Sequence, residues 1–231
     1  MKDLFESIGG KFVSDWVLMT EKYSHIKAFV FDWDGVFNDA SKNESLSSNF
    51  NEVDSMGTNL LRFSYYLKDS VLPKTALISG EKNTLSFTFS GREHFNSCYY
   101  KIADKKEAIE HFCSHHNLKP HEICYFFDDV LDLSVAQIAG IRIMIGRKSN
   151  PLFNEYVIKK GLVDYITGNR GGEFGVREAC ELLMGLSQAF EDVLGHRTEF
   201  SETYRRYLSV RNNEETFFYT KEGANIIKTN S

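Results

Sequence analysis

The chain is short of the features that would assign it to several large classes. Nowhere in its 231 residues is there a run of the roughly 18 apolar residues that a membrane-spanning helix needs. The opening MKDLFESIGGKFVSDW carries Asp3 and Glu6 and has no uninterrupted apolar stretch, so a signal peptide is not expected. There is no basic surplus: 27 Lys and Arg stand against 32 Asp and Glu, a formal charge of -5. Nucleic acid and anionic membrane surfaces are therefore not expected partners, whereas an anionic small molecule remains compatible, since local cations decide that. Cysteine is scarce too. Cys98, Cys113, Cys124 and Cys180 form no C-x-x-C pair and three sit among apolar neighbours, which reads as reduced, buried thiols in a cytosolic protein. Neither an internal repeat nor a long linker is visible.

What the chain does have is 42% hydrophobic and 14% aromatic residues, enough to bury one sizeable core. The apolar residues fall into short continuous runs at Ile26 to Phe31, Thr75 to Ile78, Ile123 to Phe127, Ile141 to Ile145 and Val163 to Ile166. Continuous rather than alternating runs are how strands covered on both faces read. Helical patterns lie between them: Leu60, Leu61, Tyr65 and Leu67; Ala108, Ile109, Phe112 and Cys113; Leu131, Val135, Ile138 and Ala139; and Leu152, Phe153, Tyr156 and Val157 after Asn150-Pro151. Strand alternating with helix implies an α/β fold with a doubly wound parallel sheet and right-handed crossovers, spanning residues 26–190. Residues 38–53, polar and turn-rich, fit a small hairpin flap hung from the first strand. Residues 1–25 read as an N-terminal helical extension padding the sheet. Residues 191–231 read as a polar C-terminal extension, a docking arm or partly disordered tail.

In such a sheet the ligand crevice lies at the carboxyl ends of the strands. The residues expected there are Asp32 and Asp34 after the first strand, Ser79 and Gly80 after the second, Asp128 and Asp129 after the third with Asp132 a turn on, and Lys105 from a connection. So many carboxylates repel one another unless a cation joins them. Hard oxygen donors suit Mg²⁺, not zinc, and Lys105 beside the ion would draw a phosphate. The expected chemistry is phosphoryl transfer, with Asp32 attacking phosphorus and Asp34 serving as general acid and then general base. Ser79 would hold a phosphoryl oxygen through its hydroxyl and backbone N–H, and Lys105 would offset developing charge. Asp32, Asp34 and Asp128 are the expected metal ligands, with Asp129 and Asp132 orienting metal waters or Lys105. Gly35 would turn the backbone sharply behind the acids. A lone D-x-D-G is commonly a turn or a helix cap; four strand-end matches in order outweigh that reading.

The stretches IKAFVFDWDGVFND, FNEVDSMGTNLLRF, ALISGEK, IADKKEAIEHF, ICYFFDDVLDLSVAQIAGI and DYITGNRGGEFGVREACELLM resemble the haloacid dehalogenase (HAD) superfamily. Over residues 26–186 they resemble its 3-deoxy-manno-octulosonate 8-phosphate and acylneuraminate 9-phosphate phosphatases. The resemblance implies a Rossmann-like sheet with a hairpin in place of a full cap, Mg²⁺-dependent hydrolysis of a sugar-acid phosphate, and a homotetramer in which Arg170 to Glu178 reach a neighbour's site. Phe127, Leu131 and Phe174 depart from the family pattern, with bulky residues where Gly, Asn and a small residue are usual. Gly80 and Glu81, together with Arg92, Arg170 and Arg177, are the candidate substrate contacts, guanidinium being suited to carboxylates. His111 and His115, four apart on a helix, read as a solvated helix end. The competing function is a non-catalytic oligomerisation or regulatory module of sugar-acid activation. A phospho-accepting receiver is a third reading, but there the acid pair precedes the phosphorylated aspartate.

Overall fold

The computed structural model describes residues 1–42 and 48–229. Among these, nine strands, numbered in chain order, form one sheet. Its centre is parallel. In spatial order it runs β7 (Tyr165–Ile166), β6 (Ile141–Met144), β5 (Ile123–Phe127), β2 (Ala28–Asp32), β3 (Lys74–Ile78), β4 (Ser97–Tyr99) and β8 (Phe217–Glu222). Antiparallel partners close the two sides, β1 (Lys11–Phe12) on β7 and β9 (Asn225–Thr229) on β8. The five expected strands all form. The two-residue β1 and three-residue β4 are too short to leave an apolar run in the sequence.

Helices cover both faces, which is why β2 and β5 are buried at every position. On one face lie α2 (Trp16–Ser24), α3 (Glu52–Asp69), α4 (Thr84–Arg92) and α8 (Gly175–Leu186), sealing a core that takes Phe29, Phe31 and Phe126 from the sheet. On the other lie α5 (Lys105–His116), α6 (Leu133–Ala136) and α7 (Pro151–Lys159), over Ala28, Val30, Tyr125 and Phe127. Side chains alternate along a strand. Asp32 therefore follows Ala28 and Val30 onto the α5 side, and the first residue of α5 is Lys105. The Asp104 carboxylate fixes that start by accepting from the Lys106 N–H.

From β2 the chain moves outward to β3 and β4, then returns to place β5 on the other side of β2. This reversal opens a crevice at the carboxyl ends of β2 and β5. Gly35, just past β2, has φ +85°, a conformation open to glycine. Gly171 packs against the chain itself, where an added Cβ would overlap the carbonyl oxygens of Gly35 and Asn38.

Two segments differ from expectation. Residues 191–231, of which 191–229 are described, were expected to be a docking arm or partly disordered tail. They instead form α9 (Phe190–Thr198), α10 (Glu202–Asn212) and the β8–β9 hairpin. Tyr204 and Tyr207 of α10 are buried against Phe63 of α3, and Tyr219 of β8 stacks on Tyr99 at 5.0 Å. Their burial depends on partners far away in sequence, so charged neighbours masked it. Within the expected hairpin flap, residues 43–47 lie outside the described residues. The described flank at 48–51 is in neither helix nor strand, and Glu52 and Val53 already belong to α3.

Candidate active site

At the crevice the structure assembles a cavity of about 400 Å³ whose walls include Asp32, Asp34, Gly80, Glu81, Lys105, Asp128, Asp129 and Asp132. Lys105 Nζ stands 2.6 Å from Asp32 Oδ1 and 2.6 Å from Asp132 Oδ1, with all three side chains buried. The Tyr125 hydroxyl also donates to Asp132 Oδ1, at 2.5 Å. Asp32, Asp128 and Asp132 each bring an oxygen within 4.8 Å of the others. Burial pushes the Asp32 carboxyl well above its ordinary value, and Asp132 adds to this while Lys105 opposes it. Burial likewise pushes Asp128 up to about 7, with Asp132 adding to it and Arg147 and Lys105 opposing. Lys105 moves the other way from most buried amines: burial disfavours its charge, but Asp32 and Asp132 together raise its pKa and keep it an ammonium.

These directions have one cause. Three buried carboxylates confront one buried ammonium and one half-buried guanidinium, which leaves a negative surplus in a poorly solvated place. A divalent cation bound by carboxylate oxygens would cancel it, and the donor set is all oxygen, so the residues fit a hard divalent ion. Asp32, Asp128 and Asp132 are the side chains positioned to hold it. Asp132, expected only to orient, thus joins the cluster, while Asp34 stands apart: its carboxylate accepts from Ser48 Oγ at 2.6 Å and pairs with Lys42 at 2.6 Å. Asp129 is half-buried and caps the turn after β5 by accepting from the Val130 N–H.

Ser79 requires a correction. Its backbone N–H, expected to face a phosphoryl oxygen, donates to Tyr99 O at 2.9 Å as the sheet continues past β3. Its hydroxyl accepts from the Glu81 N–H at 3.3 Å and retains its own proton to donate. The three arginines are not gathered at the cavity. Arg92 lies across Phe50 and pairs with Glu52 and Glu93. Arg177 pairs with Glu181 at 2.7 Å. Arg170 is exposed beside Glu173 and lines a neighbouring groove with Asp39 and Lys42. Glu178 is turned inward, accepting from the Tyr165 hydroxyl at 2.6 Å and from the Gly168 and Asn169 N–H groups. The exposed part of the loop is therefore its tip around Arg170 and Glu173.

Two cations paired with acids of the cavity were missed by the sequence reading. Lys42 comes from the flap and had no visible signal. Arg147, paired with Asp128, follows β6 by three residues, so the strand-end rule applied to that strand would have found it. Of the bulky departures, Phe127 is fully buried beside Tyr125, whereas Leu131 is 65% exposed on the cavity rim and Phe174 is 47% exposed with φ +70°. His111 accepts from or donates to the Tyr99 hydroxyl at 2.9 Å and joins no metal-binding group among the described residues. All four cysteines are free and buried, and none of the described helices is long and apolar enough to cross a membrane.

No family model matches the chain. The 3-deoxy-D-manno-octulosonate 8-phosphate phosphatase of Yersinia pestis is 25% identical over 181 residues, covering 76% of this chain and 88% of that protein. Among solved structures, a HAD superfamily (subfamily III A) protein from Legionella pneumophila superimposes with a TM-score of 0.65 at 23% identity, over 84% of this chain and 95% of that one. The 3-deoxy-D-manno-octulosonate 8-phosphate phosphatase of Moraxella catarrhalis, solved with magnesium, phosphate and KDO, gives 0.62 at 24% identity over 77% and 96%. The chain thus shares its fold with these solved structures, and its sequence is similar to that of the Yersinia pestis 3-deoxy-D-manno-octulosonate 8-phosphate phosphatase.

Proposed function

We propose that the chain is a Mg²⁺-dependent phosphatase that hydrolyses a sugar-acid phosphomonoester through an aspartyl-phosphate on Asp32. The observation that carries this reading is the ion-paired set of Asp32, Lys105 and Asp132, with an oxygen of Asp128 within 4.8 Å of those of the other two acids. The ion would neutralise phosphoryl charge and be held by Asp32, Asp128 and Asp132.

In the first step an Asp32 carboxylate oxygen bonds to phosphorus as the bond from phosphorus to the sugar oxygen breaks. The protonated Asp34 carboxyl gives its proton to that departing oxygen. In the second, water bonds to phosphorus, Asp34 takes its proton, and the bond from phosphorus to Asp32 breaks, restoring the carboxylate and releasing phosphate. Lys105 holds Asp32 in place and offsets the negative charge of transfer, and the Ser79 hydroxyl donates to a phosphoryl oxygen. Ser48 and Lys42 hold Asp34 at the rim. The substrate class rests on the relatives, one of which was solved with KDO and phosphate. A homotetramer is part of the proposal, with the exposed tip at Arg170 and Glu173 as the part of its loop free to meet a neighbour.

Lys42 seated on Asp34 favours the second reading, a non-catalytic oligomerisation or regulatory module, because it occupies the carboxylate that would have to meet the departing oxygen. Phosphate release from a panel of sugar phosphates, including 3-deoxy-octulosonate 8-phosphate and acylneuraminate 9-phosphate, with Mg²⁺ and with chelator, separates the two. Turnover of a sugar-acid phosphate that needs Mg²⁺ is expected; no turnover on the whole panel refutes the phosphatase.

A further inference from the structure

Arg147 ties the candidate metal cluster to the outside of the molecule. Its guanidinium Nη2 is paired with Asp128 Oδ2. Both atoms lie directly over Gly35, where an added Cβ would overlap Asp128 Oδ2 and come within 2.6 Å of the Arg147 nitrogen. The backbone behind it is anchored, since the Arg147 carbonyl accepts from the Asn150 N–H at 3.4 Å and from Asn154 Nδ2 at 3.4 Å. The side chain itself is 28% exposed, against 4% for Lys105. It also stands on the wall between two cavities, the catalytic one and an adjoining one of about 150 Å³ shared with Ser149 and Arg170.

We infer that Arg147 is a built-in counter-cation that shares Asp128 with the divalent ion, weakening the ion's binding and leaving the buried cluster, once loaded, with a positive surplus toward a phosphate. The inference rests on the metal-dependent reading above. Its physical basis is the charge count. The three buried carboxylates carry three negative charges, and Lys105 with a divalent ion cancels them. Arg147 then adds one positive charge at the mouth, a few ångströms from where the phosphoryl group must sit. The same charge repels the ion across Asp128, and low solvation strengthens both effects. An outer partner that merely orients a ligand works in the opposite sense, since its loss typically weakens metal binding about 10- to 100-fold.

The test is calorimetric titration of Mg²⁺ into the full chain without substrate, for the parent protein, Arg147→Met and Arg147→Lys, followed by titration of inorganic phosphate into each Mg²⁺-saturated protein. Arg147→Met is expected to bind Mg²⁺ about tenfold more tightly and phosphate about tenfold more weakly. Arg147→Lys, which keeps the charge but loses the fork, should fall between. Both changes are required, so unchanged or weaker Mg²⁺ binding, or unchanged phosphate binding, in Arg147→Met overturns the inference. Circular dichroism checks folding, and Arg147→Gln takes the place of the Met variant if that one does not fold. A parent protein that binds Mg²⁺ but hydrolyses no phosphomonoester refutes the phosphatase and leaves this test intact. If neither parent nor variants bind Mg²⁺, the inference falls.

Discussion

Lys105 Nζ lies 2.6 Å from Asp32 Oδ1, an ion pair that joins the first residue of α5 to the last residue of β2 inside the protein. The same ammonium serves Asp132, so Lys105 is the charge on which the site's folding depends. Lys105→Met leaves two buried carboxylates without their partner, and the expected loss is about 3–5 kcal/mol. Because the Asp32 carboxyl, already pushed up by burial, can escape by protonation, urea melts should show a larger deficit at pH 8 than at pH 5. Equal deficits at both would mean that the pair is not sensed by the fold.

Asp32→Asn removes the oxygen proposed to attack phosphorus while nearly preserving shape. Turnover is expected to fall at least about 10³-fold, as removal of a covalent nucleophile does elsewhere, with an unchanged circular dichroism spectrum. Phosphate release within tenfold of the parent would rule out Asp32 as nucleophile.

Asp128 supplies a pH signature. Its pKa is raised from 3.8 to about 7 in the fold, so the folded protein takes up a proton there at pH values where the unfolded chain does not. Stability from this group therefore grows as pH falls from about 8 toward the unfolded value. His116, pushed down to about 4 by burial, works the other way below 6.5, so the window from pH 8 to 6.5 belongs to the raised carboxyls, with Asp32 acting in the same sense as Asp128. In chelator the melting temperature of the parent should rise across that window, and Asp128→Asn should rise less. Saturating Mg²⁺ should flatten the parent's slope by holding Asp128 ionised.

Gly35→Ala tests the turn under the cluster. A side chain there meets a φ of +85°, costing about 1–2 kcal/mol, and collides with the Asp128 and Arg147 pair. The expected outcome is loss of Mg²⁺ binding and a fall in turnover of about 10²-fold or more. Retention of both would show that the pair has room to move.

Tyr207→Ala tests the C-terminal packing. The ring is fully buried against Phe63 and Tyr66, and its hydroxyl donates to the Asn59 carbonyl at 3.0 Å. Equilibrium denaturation should show a loss of about 3–5 kcal/mol. A change under 1 kcal/mol would return residues 191–229 to the status of a loosely attached tail.

The acids at the ends of β2 and β5 were legible because a parallel strand buried on both faces announces itself as an apolar run, and charge just beyond such a run has few structural uses. Lys105 was legible only once its crossover was placed. Arg147 was overlooked although it follows β6, and Lys42 could not be found, since a lysine in a polar flap looks like any other. Asp132 was visible, yet its membership in the cluster was not, because the turn after β5 sets which carboxylates point inward. The arginines show the reverse: their chemistry suited a carboxylate, but Glu52, Glu93 and Glu181 were close enough to claim Arg92 and Arg177.

The order of residues dictated the alternation of strand and helix, the parity that turns Asp32 toward α5, and the chemical kinds of group at the strand ends. These are local, since they follow from periodicity and adjacency along one segment. Which cation meets which carboxylate, and whether Tyr204 and Tyr207 are buried or solvated, depended on segments distant in the chain coming together. Electrostatics and packing act through space, so those outcomes belong to the folded assembly of elements and to no single stretch of it.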